Sequence, residues 1–207
     1  MLELNKIYLI DCMEGMKEFP DKYFELAIVD PPYGLKRLEK GSGWLESYGD
    51  TGKWNHLKPT QEYFDELFRI SENQIIWGMN NFNLPPTEYF IIWDKLQFYP
   101  NMARAELAWT NIKKPCNMYE KRFGSEPDRI HPTQKPIRLY EWLLSHYAKK
   151  GDKILDTHVG SGSSIIAFEK HGFEYCGFEI DKDYYEASMK RILKHRELLK
   201  QEVLNYE

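Results

Sequence analysis

An α/β fold built on a mostly parallel sheet is predicted by three features of the chain. The apolar run Leu26-Ala27-Ile28-Val29 and the short run ending Ile154-Leu155 each close on an acid, Asp30 and Asp156, followed by turn chemistry. Uninterrupted apolar runs of this length read as strands buried on both faces, and open α/β sheets place their chemistry at the carboxyl ends of such strands. Between these runs, strand-length segments alternate with segments of helical spacing. At 207 residues the chain suits one domain with a sizeable core and is too short for two large ones.

The elements follow in order. A strand is expected over 7–11, a short helix over 13–19, and a turn at Pro20-Asp21 before the strand that ends at Val29. Residues 35–57 are polar and glycine-bearing, and a loop of that length is uncommon unless functional, so a flap over substrate is expected there. Trp44, Tyr48 and Trp54 within it read equally as stacking groups and as pins to the core. Residues 59–70 have helical spacing with Tyr63, Phe64, Leu67 and Phe68 on one side, and 74–78 read as a strand. Asn80 and Asn81 after it are read as turn formers. Paired strands are expected over 89–93 and 105–109, joined by 95–104, and 112–130 reads as irregular and basic. A helix over 136–148 turns Leu139, Trp142, Leu143 and Tyr147 inward, a strand covers 175–180, and a charged helix covers 184–203. Lys190, Arg191, Lys194 and Arg196 in the last helix read as a solvated face.

Two strand ends carry chemistry. In Asp30-Pro31-Pro32-Tyr33 a carboxylate acceptor is followed by a stiff backbone lacking N–H groups and by a flat ring. That set suits a flat heterocycle with an exocyclic amine: Asp30 and a proline-segment carbonyl accept the amino hydrogens while Tyr33 covers the ring face. In Asp156-Thr157-His158-Val159-Gly160-Ser161-Gly162, a strand, a glycine turn and a helix start follow one another. Gly160 and Gly162 allow close backbone approach, and the helix start presents free N–H groups. Glu179, at the end of the next strand and followed by Asp181, lies near the offset of about twenty residues expected of an acid that grips ribose hydroxyls. A nucleoside-containing cofactor is implied. Ile165 stands where a third glycine would complete the dinucleotide fingerprint, and no Gly-Lys-Ser/Thr follows, which argues against a nucleoside triphosphate and leaves a dinucleotide or an adenosine cofactor such as S-adenosylmethionine.

Composition narrows the setting. Cys12, Cys116 and Cys176 are widely spaced and form no Cys-x-x-Cys pair, so reduced thiols, a cytoplasmic setting and no metal site are expected. The amino terminus shows no signal pattern, and no apolar run approaches the roughly eighteen residues that cross a bilayer, so no membrane association is expected. The formal net charge is -4, and its distribution matters more than the sum. Basic residues recur at Lys36, Arg37 and Lys40 and again at Lys113, Lys114, Lys121, Arg122 and Arg129. They read either as two walls of a cleft or as solvated loop charges.

Asp-Pro-Pro-Tyr early and Asp-x-x-x-Gly-Ser-Gly late make the chain resemble amino-group DNA methyltransferases of the permuted, β-class arrangement. Ile7 to Cys12 resembles that family's opening strand, His131-Pro132-Thr133-Gln134-Lys135-Pro136 the segment before its cofactor half, and Ile91 to Lys95 a late sheet strand. The resemblance implies a Rossmann-like, S-adenosylmethionine-dependent methyltransferase fold with a seven-stranded sheet, an antiparallel edge strand and circularly permuted motif order. It implies DNA as substrate and transfer to adenine N6, with cytosine N4 as the alternative, because cytosine enzymes more often carry Ser at the position of Asp30. A catalytically silent DNA-binding or partner subunit of the same fold is the other alternative. By this resemblance the catalytic group is Asp30, Pro31, Pro32 and Tyr33. The cofactor is held by Asp11 and Cys12 near its adenine, Glu179 and Asp181 at the ribose, Lys135 toward its carboxylate, and a wall of Asp156, Thr157, His158, Gly160 and Gly162. Thr157 and His158 replace the Pro and Phe more usual there. His131 and His158 are expected to pack rather than to act as bases. Lys36, Arg37, Lys113, Lys114 and Arg122 are the expected DNA contacts, with 35–57 and 112–130 as reduced recognition elements. A homodimer and a place in restriction-modification are further expectations.

Overall fold

The computed structural model describes residues 1–34, 58–98, 102–131 and 133–204. Lys36, Arg37, Lys40, Trp44, Tyr48, Trp54 and Pro132 lie outside the described residues. Among the described residues eight strands form one sheet: β1 (Lys6–Leu9), β2 (Phe24–Val29), β3 (Ser71–Trp77), β4 (Phe90–Asp94), β5 (Ala105–Thr110), β6 (Asn117–Glu120), β7 (Lys153–Asp156) and β8 (Glu174–Glu179). Their spatial order is β1-β8-β7-β2-β3-β5-β4-β6. Five helices flank them: α1 (Cys12–Lys17), α2 (Gln61–Ile70), α3 (Ile137–Tyr147), α4 (Ser163–Lys170) and α5 (Lys182–Leu204).

The central strands are apolar because both their faces are covered. In β2, Leu26 and Ile28 point into a cluster with Leu139 and Leu143 of α3 and Ile165 and Phe168 of α4. Ala27 and Val29 point the other way, into a cluster with Met16 of α1 and Tyr63, Phe64 and Leu67 of α2. This period-two division of one strand between two cores makes a three-layer α/β/α fold. Strands β1, β8, β7, β2 and β3 are mutually parallel, as expected.

The far side of the sheet departs from expectation. Strand β5 pairs antiparallel with both β3 and β4, so the antiparallel strand is interior, and the edge is the unpredicted β6, parallel to β4. Residues Asn117-Met118-Tyr119-Glu120 alternate between half-buried and exposed. An edge strand covered on one side needs no apolar run, and this one offers none for sequence reading to detect. Helix α5 also differs. Arg191 is buried, its Nε 2.8 Å from Asp128 and its Nη1 2.9 Å from the Ser161 carbonyl, while Arg196 pairs with Glu169. Two of the four cations expected to be solvated therefore brace the helix against the body of the protein.

Gly177, in the middle of β8 beside Asp156, has no room for a side chain: a Cβ there meets Val159 Cγ2 at 2.7 Å and Ile165 Cδ1 at 3.2 Å. Gly177→Ala is expected to lower unfolding stability by about 1–3 kcal/mol in urea titration, the usual cost of overpacking.

Candidate active site

Strands β2 and β7 are hydrogen-bonded neighbours with Leu26 opposite Ile154 and Ala27 opposite Leu155. Asp30 and the turn after Asp156 thus leave the same edge of the sheet from adjacent strands, about 4.8 Å apart. From this pair the sheet grows through β3 in one direction and through β8 in the other, which makes the gap between them the topological switch point.

At the β2 end, Asp30 is held from two sides. The Tyr33 hydroxyl donates to its Oδ1 at 2.6 Å, and the Lys135 ammonium pairs with its Oδ2. Lys135 also meets Glu106 Oε2 at 3.0 Å, and Glu106 in turn pairs with Lys95. The result is an alternating array, Asp30, Lys135, Glu106 and Lys95, contributed by the ends of β2, β4 and β5 and the segment before α3. Burial works against the Lys135 charge, but the two carboxylates outweigh it and lift its pKa above the ordinary lysine range. Burial likewise opposes ionisation of Glu106, and Lys135 and Lys95 overcome it, drawing the carboxyl down to about 2. Tyr33 fits because residue 78 is glycine. A Cβ on Gly78, whose φ is +76°, would stand 2.3 Å from the Tyr33 ring. Phe82 meets the same ring edge-on, with centroids 6.0 Å apart. Asn81 donates to the Gly78 carbonyl at 3.1 Å, in keeping with its expected turn role.

At the β7 end, carboxylates surround the glycine turn. Asp156 accepts from the His158 N–H at 3.0 Å and from the Ser164 hydroxyl, yet burial pushes its pKa up to about 7. Glu179 accepts from the N–H groups of Gly160 at 2.8 Å and Asp181 at 2.9 Å, and burial raises it as well. Gly160 has φ +51°, and a Cβ there would meet nothing nearer than 3.9 Å. Among the described residues, open space therefore lies beside Gly160. Thr157 shares hydrogen bonds with the Tyr63 hydroxyl at 2.7 Å and with His158 Nδ1 at 2.9 Å. The His158 imidazole is driven down to about 4 by burial and is neutral at physiological pH. It packs edge-on against Tyr63, a ring contact of the kind the expected packing role requires. His131 packs on Tyr184, with centroids 4.4 Å apart. Asp11 caps α1 through its Oδ1 and the Met13 N–H at 2.7 Å, and burial pushes the Cys12 thiol up to about 12.

The array at Asp30 was only partly anticipated. The Lys135 ammonium stands on Asp30 and Glu106, a contact that the sequence does not announce. Glu106 and Lys95 were not singled out. A lone acid within the apolar strand Ala105-Glu106-Leu107-Ala108-Trp109 was the available signal, since a buried carboxylate requires a cation. The basic loops also divide. Lys121 and Arg122 follow β6, which is parallel to β4 and so ends on the Asp30 edge, whereas Lys113 and Lys114 connect the opposite ends of β5 and β6. Lys114 pairs there with the His146 carbonyl. Among the described residues no group of three or more His, Cys, Asp or Glu is placed to hold a metal ion, and no helix is long and apolar enough to cross a membrane.

Comparison with known proteins adds to this geometry. The family model described as DNA methylase matches residues 55–190. The chain is 27% identical over 139 residues to the Type II methyltransferase M2.DpnII of Streptococcus pneumoniae, a match covering 67% of this chain and 48% of that protein. It is 24% identical to the Type II methyltransferase M.HinfI of Haemophilus influenzae over an alignment of 246 residues, covering 91% of this chain and 68% of that protein. It thus spans about half of the first relative and about two thirds of the second. Among solved structures, the PvuII DNA methyltransferase (cytosine-N4-specific) superposes with a TM-score of 0.63 at 14% identity, covering 94% of this chain and 92% of that one. The M1.HpyAVI–SAM complex superposes with a TM-score of 0.54 at 21% identity, covering 90% and 98%.

The Asp156 shift sets a pH signature. Its folded pKa of about 7 exceeds the unfolded value near 3.8, so its contribution is fully present below about pH 4 and is lost as pH rises toward 7. Asp156→Asn removes that loss. Relative to the parent chain, the variant is expected to gain thermal stability progressively between about pH 4 and pH 7 and to hold a constant advantage above, read as the difference in Tm across a pH series.

Proposed function

This chain belongs to the DNA methylase family, and on that premise we propose that it transfers a methyl group from S-adenosylmethionine to the N6 amino group of adenine in DNA, as a modification enzyme of the Type II kind. The observation that carries this reading is the junction of Asp30 and the glycine turn on adjacent parallel strands, because a methyl group passes only between ligands that share a pocket.

The turn suits the cofactor by its chemistry. Asp156 and Glu179 are buried carboxylates whose neutral forms are favoured by burial, so they call for hydroxyl donors and positive charge and disfavour an anionic ligand. Ribose hydroxyls and the ammonium and sulfonium of S-adenosylmethionine meet that demand, and a triphosphate does not. The space beside Gly160 admits close approach. In this reading Glu179, with Asp181, holds the ribose, Asp11 and Cys12 lie toward the adenine, and Asp156, Thr157, His158, Gly160 and Gly162 form the wall. When bound, the cofactor supplies an electrophilic methyl group on a positively charged sulfur.

The chain's own residues prepare the acceptor. Adenine N6 is a weak nucleophile because its lone pair is delocalised into the ring. Asp30 and the Pro31 carbonyl accept the two amino hydrogens and draw the nitrogen toward a tetrahedral shape, aiming the lone pair at the methyl group. Pro32 contributes no N–H to compete for those acceptors. As the nitrogen gains positive charge, the Asp30 carboxylate stabilises it, and the proton departs only once the nitrogen is cationic and strongly acidic. Tyr33, fixed by its hydroxyl on Asp30, covers the extruded base. Lys135 already occupies Asp30 Oδ2, so the amino group is received at the remaining lone pairs or in exchange with the ammonium, for which Glu106 is the second seat. Asp30 favours adenine over cytosine N4.

Incubation with methyl-labelled S-adenosylmethionine and unmethylated DNA, followed by nucleoside analysis, is expected to place the label in N6-methyladenine. Label in N4-methylcytosine would reassign the acceptor, and an unlabelled digest would refute the activity. Asp30→Ala is expected to abolish transfer while S-adenosylmethionine binding, read by calorimetry, persists.

A further inference from the structure

The β4–β5 connection carries a feature that the catalytic pocket does not require. Phe98 is 77% exposed, more than any other large apolar side chain among the described residues. One exposed aromatic is ordinary. Its mounting is not. Side chains alternate after β4: Lys95 and Gln97 are buried, Leu96 and Phe98 point out. Lys95 is tied to Glu106, and the Gln97 amide donates to the carbonyls of Met102 at 3.0 Å and Ala103 at 2.7 Å. Between these anchors Leu96 takes φ +46°, a left-handed conformation costly for a branched side chain, stabilised by its N–H on Asp94 Oδ1 at 2.8 Å. The backbone is thus strained in the segment that turns Phe98 outward. The Arg104 guanidinium lies over one face of the ring, 4.9 Å from its centroid, leaving a cation and an aromatic presented together.

This platform stands on the reactive edge. Strand β4 runs parallel to β6 and antiparallel to β5, which is antiparallel to β3, so β4 ends and β5 begins where β2 ends at Asp30. Only β3 separates β5 from β2, a lateral offset of about 10 Å at the usual strand spacing. The neighbouring loop after β6 is hydrogen-bonded to the same turn, through Lys121 N–H on Asp94 and Phe123 N–H on Lys95, and brings Arg122 to this edge. Its Asp128 is already taken by Arg191.

We propose that Phe98 and Arg104 form a nucleic-acid platform beside the catalytic pocket, with the Phe98 ring stacking on a base of the DNA strand and Arg104 contacting its phosphates. An exposed ring paired with a guanidinium matches a polyanion carrying flat bases, and stacking of this kind tolerates any sequence. The inference rests on the DNA methylase reading, but its test separates the two.

Fluorescence anisotropy with a labelled 30-base-pair duplex and the corresponding single strand measures binding by the full chain without catalysis, and KM and kcat for unmethylated plasmid DNA measure use. Phe98→Ala is expected to weaken binding and raise KM roughly tenfold, with kcat and S-adenosylmethionine affinity unchanged. Phe98→Trp restores both, Phe98→Leu does not, and Arg104→Gln lowers the salt dependence of binding by about one phosphate contact. Equal binding by the parent chain and Phe98→Ala overturns the platform, as does full rescue by leucine, which would reduce the role to apolar packing. Absence of methyl transfer by the parent chain, with the anisotropy difference intact, overturns the catalytic reading and leaves the platform standing.

Discussion

The active edge depends on how four charges share one low-dielectric pocket. Asp30 and Glu106 alternate with Lys135 and Lys95, and each ion meets at least one partner of opposite sign. An isolated buried carboxylate would protonate and lose the acceptor strength that an amino group needs. Removing one member of such a set leaves an uncompensated charge, a loss on the order of 3–5 kcal/mol in comparable buried pairs. The geometry of the acidic tetrapeptide is therefore inseparable from two strands and a helix start that lie far from it in sequence.

The two halves of the pocket have opposite electrostatic characters. At the β2 end the acids are paired with lysines, which draw the Glu106 carboxyl down against its burial. At the β7 end Asp156 and Glu179 pair with no lysine among the described residues, and burial, aided by neighbouring carboxylates, raises both. Beside the β7 turn, Tyr63, Thr157 and His158 are linked by hydrogen bonds and a ring contact, and the imidazole among them is neutral. The His at 158 thus serves as a flat, uncharged ring where the family more often has phenylalanine.

Much of this was legible in the residues. Runs such as Leu26 to Val29 declare a doubly covered strand because every position must be apolar, and Asp-Pro-Pro-Tyr singles out the strand end at which the Asp30 array forms. The pairing of β4 with β5 followed from two apolar runs close in sequence. Strand β6 was not legible, since an edge strand can be built from Asn117 to Glu120 without an apolar signature. Nor were the partners of Arg191 and Lys135. A cation in sequence looks alike whether it meets water or a carboxylate, and only the fold brings Asp128 to Arg191, sixty-three residues away.

The Asp30–Lys135 pair spans 105 residues of chain. Contacts of such separation form late, because the loop they close has to be gathered before the contact rewards it. Until the segment before α3 docks, the acid at the end of β2 stays in water and Glu106 has lost half its company. A chain with only its first strands in place consequently holds Asp30 without its lysine.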